Sequence, residues 1–147
     1  MSLEFWATGY DAAVKESRRT MEAAERTISQ ILTEQIRYEI PPYQRPYSWE
    51  KGNVEQLLDD VWEAYEANDD EYFIGSLITI EREKGRLYDV VDGQQRLTTL
   101  NLIFCRLRDA VNEPAKSELG RRVLPRNALT GEEEKPRLML RQRDQSF

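Results

Sequence analysis

The stretch from Tyr72 to Val111 constrains the architecture more than any other part of the chain. Phe73, Ile74, Leu77, Ile78 and Ile80 form one strand-like apolar run and Leu87 to Val91 a second, with Lys84-Gly85 between them to supply a turn. The pair reads as a β-hairpin. The second run passes straight into Asp92-Gly93, after which Leu97, Leu100, Phe104, Leu107 and Val111 recur at helical spacing and stop before Pro114. Strand, tight turn and helix therefore follow one another without a break.

The flanking segments are less sharply marked. Val54, Leu57, Leu58, Val61, Trp62 and Tyr65 fall on one stripe of a helix, for which Asn53 is the expected cap with Gln56 placed for the reciprocal bond. That helix should end before Asp69-Asp70-Glu71. Arg37 to Ile40 reads as a short strand ended by Pro41-Pro42, because proline lacks an N–H and holds its predecessor in extended shapes. From Asp11 to about Glu34 the spacing of Val14, Met21, Ala24, Ile28, Ile31 and Leu32 is loosely helical. Pro125, Gly131 and Pro136 break the rest into loops, with Glu132-Glu133-Glu134 a solvated charge run.

The 147 residues suffice for one ordinary domain or a piece of a larger protein, and none of them is His. That absence excludes a Ser-His-Asp or Cys-His nucleophile, an HNH nuclease centre and a His-containing zinc site; a single thiol, Cys105, excludes Cys-only metal sites and internal disulfides. Cys105 itself reads as a buried small hydrophobe. Catalysis, if any, must run on carboxylates, amides, hydroxyls, Arg, Lys, backbone N–H groups or a borrowed Mg²⁺. No apolar run reaches the roughly 20 residues of a membrane span and no signal peptide is evident. The expected setting is cytoplasmic, with no membrane partner.

The formal net charge is −6, divided as −9 over residues 1–73 and +3 over residues 74–147. Arg121, Arg122, Arg126, Arg137, Arg141 and Arg143 make up most of the late basic excess, read either as a solvated helix face or as a phosphate-binding run. Overall acidity argues against strong non-specific DNA binding by this piece alone.

Two motifs exceed what a plain domain needs. In Ile40-Pro41-Pro42-Tyr43-Gln44-Arg45-Pro46-Tyr47-Ser48-Trp49, three prolines stiffen a loop that offers three aromatic rings, an amide and a guanidinium. The rings could equally plug the core while Arg45 forms an internal ion pair. The second motif, Asp92-Gly93-Gln94-Gln95-Arg96-Leu97-Thr98-Thr99-Leu100, lies at the strand-to-helix junction. Unpaired N–H groups and the helix dipole make such a junction a natural phosphate site. Gly93 allows close backbone approach, Arg96 can fork onto an anion, Gln94 and Gln95 can donate to phosphate or orient water, and Asp92 can hold Mg²⁺. The plainer alternative makes Asp92 an N-cap, Gly93 a turn residue and the leucines core.

Taken in order, with a helix and a hairpin between them, the two motifs closely resemble the N-terminal domain of the GmrSD-type restriction endonucleases, over roughly Thr27 to Asn112. The resemblance implies an α+β fold of the ParB/sulfiredoxin-like kind, a small mixed sheet with flanking helices, truncated after the core. It divides the chain into an N-terminal helical extension or added residues at 1–20, an NTP-binding core at 21–113, and the interrupted start of a following helical segment at 114–147. It favours a short strand around Met21 to Arg26 and a short helix from Ile28 to Glu34, leaving a helix only in residues 11–20. By resemblance, the function is that of a nucleotide-binding, Mg²⁺-dependent NTPase sensor of a phage-defence restriction system acting on modified DNA. An HNH nuclease domain, in cis or trans, would supply the cutting chemistry outside this chain. Asp92, Gln94, Gln95 and Arg96 would be catalytic, with the metal on Asp92, and Gly93, Gln44, Arg45, Tyr43, Tyr47 and Trp49 would bind the nucleoside triphosphate. Self-association stays open. The alternative is a non-catalytic ParB-like module that contacts DNA or protein with the same surface.

Overall fold

The computed structural model describes residues 4–11, 21–33, 35–125, 127 and 130–141. Its elements are β1 (Glu4–Asp11), β2 (Met21–Thr27), α1 (Ile28–Ile31), β3 (Arg37–Glu39), α2 (Lys51–Glu66), β4 (Phe73–Glu83), β5 (Leu87–Asp92), α3 (Gln94–Ala110), α4 (Ala115–Val123) and β6 (Leu138–Met139). Among the described residues the strands form one mixed sheet in the order β2-β1-β4-β5-β3-β6. The β1–β2 and β4–β5 pairs are antiparallel, whereas β1–β4, β3–β5 and β3–β6 are parallel. The fold is thus α+β, and none of the described helices is long and apolar enough to cross a membrane.

The hairpin forms where the sequence places it. Its turn is closed by Arg86 N–H donating to Glu83 O at 2.9 Å, with Gly85 at φ +66°, a conformation glycine adopts freely. Leu77 and Val90, on its two strands, are wholly buried. They join Ile28, Ile31 and Leu32 from the α1 region, Tyr38 and Ile40 around β3, Leu57 of α2, Leu97 and Leu100 of α3 and Leu138 of β6 in one core.

Elsewhere the local patterns yield to pairing. The loosely helical spacing from Asp11 to Glu34 gives a strand, β2, and one turn of helix. Thr27 and Gln30 start that turn with a reciprocal cap: Gln30 N–H donates to Thr27 Oγ1 at 3.2 Å and Thr27 N–H to Gln30 Oε1 at 2.9 Å. A helix that starts there cannot continue one from upstream. Residues 22–26 are all exposed, so β2 is an edge strand held by its ladder to β1 rather than by a buried face. Residues 1–20, expected as a helical extension, contribute β1, which lies between β2 and β4; of the helix expected over 11–20, Asp11 ends β1 and residues 12–20 lie outside the described residues.

The second helix starts earlier and faces differently than its apolar stripe suggests. Its cap is Glu50, whose N–H donates to Asn53 Oδ1 at 3.0 Å, so Asn53 serves as the reciprocal partner and not as the cap. Leu57 and Ala64 face the core, whereas Leu58, Trp62 and Tyr65 stay exposed. In α3 the buried stripe holds through Leu97 and Leu100, and Leu107 is exposed. Cys105 is half-buried, and burial raises its thiol pKa, which keeps it protonated and unreactive at neutral pH.

The core continues past residue 113. After α4 packs on α3, β6 returns to the sheet beside β3. Arg137, immediately before it, is fully buried and donates through Nε to Arg122 O at 2.9 Å, Nη1 to Ile36 O at 2.9 Å and Nη2 to Arg121 O at 2.6 Å. Two of these carbonyls belong to the last turn of α4, where helical partners run out and the dipole favours a cation. Arg121 and Arg122 pair with Glu118, and Arg141 donates to Gln44 O. Four of the late arginines are thus engaged within the fold, while Arg126 and Arg143 lie outside the described residues. Replacing Arg137 by Ala is expected to cost about 3 kcal/mol by stranding buried carbonyls. A drop of roughly 6–12 °C in melting temperature by calorimetry would follow. Arg137→Lys should recover only part of it, since an ammonium cannot serve three carbonyls in a planar fork.

Candidate functional site

The two motifs meet across the junction of β5 and α3. Gln44, Arg45, Trp49, Val91, Asp92, Gly93, Gln94, Gln95 and Arg96 line one cleft of about 560 Å³. Of the expected site residues, Tyr43 and Tyr47 are not in that lining: Tyr43 is 70% exposed, and the Tyr47 hydroxyl is hydrogen-bonded to Thr99 Oγ1 at 2.9 Å. Val91 enters the site through its carbonyl, which accepts from Gln44 Nε2 at 2.8 Å.

The proline-rich loop poses a bonding problem that the second motif solves. With prolines at 41, 42 and 46, the loop cannot join a β-ladder, yet its backbone carbonyls still need donors. Three consecutive carbonyls find three different side chains: Arg141 Nη1 reaches Gln44 O at 2.7 Å, Gln94 Nε2 reaches Arg45 O at 3.0 Å and Gln95 Nε2 reaches Pro46 O at 3.0 Å. The other end of the Gln95 amide accepts from Ser48 N–H at 2.8 Å. The glutamines are therefore buried latches at the start of α3, and Thr99 extends the set by donating to Gln95 O at 2.9 Å. This explains why the first two turns of α3 bury Gln94, Gln95, Thr98 and Thr99 together with leucines.

With the amide groups so engaged, other groups face the cleft. Gly93, at φ +84°, is the residue before the helix and brings no side-chain cap. Asp92 is the last residue of β5 and exposed, and does not cap α3. Leu97 N–H makes the first helical bond, to Gly93 O at 2.9 Å, so the N–H groups of Gln94, Gln95 and Arg96 have no helical acceptor. Gln94 Oε1 is a buried oxygen without a hydrogen-bond partner. A Cβ at Gly93 would lie 2.6 Å from Ser76 O, so this glycine is required by β4 behind it as well as by its positive φ.

Arg96 lies over Trp49, its Cζ 5.9 Å from the ring centroid, within cation–π range. Nearby, the Tyr72 phenol is pushed above its ordinary pKa, first by burial and then by Asp60, to which it is hydrogen-bonded, while the Arg96 charge pulls the other way. The sequence gives Ser48 and Thr99 no role of their own within the motifs, and Arg141 enters it only as part of the late basic run. Ser48 and Arg141 act through the loop backbone, which residue type alone does not disclose. Replacing Gln95 by Leu is expected to release the loop. Faster amide hydrogen exchange at Ser48 and a loss of about 2 kcal/mol in stability would register it.

No curated protein matches the chain. The sequence profile of the GmrSD restriction endonuclease N-terminal domain matches residues 28–147, a span that takes in both motifs, the latches between them and the buried Arg137. The chain belongs to that family.

Proposed function

We propose that this domain binds nucleoside triphosphates at the cleft between the two motifs and hydrolyses them with Mg²⁺, acting as the nucleotide sensor of its restriction system. Membership of the family makes the chain part of a restriction, phage-defence system. The observation that carries the reading is the uncapped start of α3, whose first three residues line a cleft together with Arg45 and Asp92. Oriented N–H groups at a helix start bind phosphate oxygens, and guanidinium groups add charge and bidentate geometry.

The donor set fits Mg²⁺ only in company with the ligand. Asp92 supplies an exposed carboxylate and Gln94 Oε1 an unpartnered oxygen. Among the described residues no group of three or more His, Cys, Asp or Glu side chains comes together to hold a metal alone. Mg²⁺ characteristically keeps one or two carboxylates and takes its other ligands from phosphate and water. Asp92 would hold it, and the ion would neutralise charge on the triphosphate. For the chain's own part, the N–H groups of residues 94–96 grip phosphate, Arg96 and Arg45 stabilise charge as the terminal phosphoryl leaves, and Asp92 orients the attacking water. The Gln94 and Gln95 side chains keep the loop carrying Arg45 in place. Phosphoryl transfer is chiefly positioning and electrostatics, so the absence of His is no obstacle. Cutting of modified DNA would fall to an HNH nuclease domain outside these residues.

A thermal-shift panel of ATP, GTP, CTP and UTP, each with and without MgCl₂, tests the reading. A ligand at about 100 times its Kd should raise the melting temperature by roughly 5–10 °C, and Arg96→Ala should cut the shift to about half or less while keeping the fold. No shift with any triphosphate would overturn the proposal. Duplex DNA binding with steep salt dependence and no nucleotide effect would favour a DNA-contacting module instead.

A further inference from the structure

Gly75 lies inside β4, between Ile74 and Ser76. A glycine inside a strand commonly marks close approach by another group. Here that group is Arg96: a Cβ added to Gly75 would stand 2.5 Å from Arg96 Cζ and 3.0 Å from its Nε, with Nη1 nearer still. The guanidinium is thus set against the bare backbone of β4, with the Trp49 ring 5.9 Å from its carbon. Two elements far apart in sequence, the proline loop and the first strand of the hairpin, bound the same head group.

We propose that Gly75 and Trp49 are positioning residues of the anion site, which hold the Arg96 guanidinium in the geometry that meets phosphate. This rests on the phosphate reading of the cleft. An arginine on a flexible stem loses rotamer freedom when it binds an anion; one already confined between a ring and a strand has that loss behind it. Gly75 and Gly93 then do different work. At Gly93 an added Cβ meets backbone, Ser76 O, which cannot step aside, whereas at Gly75 it meets only the far end of a side chain. Gly75 also sits at φ +136°, so Gly75→Ala carries some backbone strain besides displacing the guanidinium.

The test measures binding of inorganic tripolyphosphate with MgCl₂ by calorimetry for the 147-residue chain and its variants. Arg96→Ala and Gly75→Ala are each expected to raise Kd about tenfold or more, and the double variant should bind no worse than Arg96→Ala alone. Trp49→Leu should raise Kd about threefold, only where Arg96 is present, and Trp49→Phe should restore it. If Arg96→Ala weakens binding but Gly75→Ala does not, or their effects add, the positioning role is overturned while the phosphate reading stands. If the wild-type chain fails to bind, or Arg96→Ala binds as well as it, the phosphate reading fails and takes the inference with it. Should Gly75→Ala not fold, the tryptophan pair decides: unchanged Kd in Trp49→Leu overturns the proposal.

Discussion

A proline-rich loop without a strand partner must have its carbonyls satisfied from somewhere, and that requirement organises the site. Gln44, Arg45 and Pro46 present three successive carbonyls, and each accepts from a different side chain. Had any been buried without a donor, the penalty would rival the net worth of one or two ordinary hydrogen bonds. The second motif carries two glutamines in the first turn of α3 because an amide can donate to one backbone group and accept from another. Gln95 does both, bridging Pro46 O and Ser48 N–H. The polar start of α3 is buried for that purpose, and the loop is brought to the cleft as a consequence.

The same device recurs at the other end of the domain. Arg137 ties the carbonyls of Ile36, Arg121 and Arg122, and Arg141, four residues on, ties Gln44. In both places a side chain stands in for a missing ladder or helix partner. The segment from Arg137 to Arg141 therefore fastens α4, the approach to β3 and the site loop to one another. A description of the core that stops at α3 leaves out Leu138 and the buried guanidinium beside it.

How far the sequence disclosed this depends on whether the signal was local. The hairpin and the start of α3 were legible because apolar runs, a glycine turn and helical spacing coincide there. The meeting of the two motifs was legible through resemblance, and their residue types suggested an anion. What residue type could not tell is which end of each group is used: the glutamine amides reach backbone carbonyls, and the first N–H groups of α3 are left without a side-chain cap. The resemblance places a short strand around Met21 to Arg26, where β2 lies, whereas local spacing does not show it: the exposed Glu22 to Arg26 carry no alternating pattern, and pairing with β1 decides the form. The inward face of α2 is not legible from composition: Leu58, Trp62 and Tyr65 look like core, yet the helix turns Leu57 and Ala64 inward. Gly75 carries a local signal of its own, a lone glycine inside a strand.

A net charge of −6 does not stand against the proposed anion site. The acidic residues of α2, among them Glu55, Asp59, Glu63 and Glu66, do not line the cleft, whose charged side chains are Arg45, Arg96 and Asp92. At physiological ionic strength exposed charges are largely screened beyond about 8 Å, so a small anion entering the cleft would respond mainly to the groups nearest it, Arg45 and Arg96 against Asp92, with Asp60 and Glu63 of α2 close enough to Tyr72 to act on the same corner as Arg96. A duplex laid against the whole surface would meet the acidic faces as well. On the proposed reading, the charge distribution would separate ligands by size, favouring a phosphate chain that fits between the motifs over a polyanion that must lie across the outside of the domain.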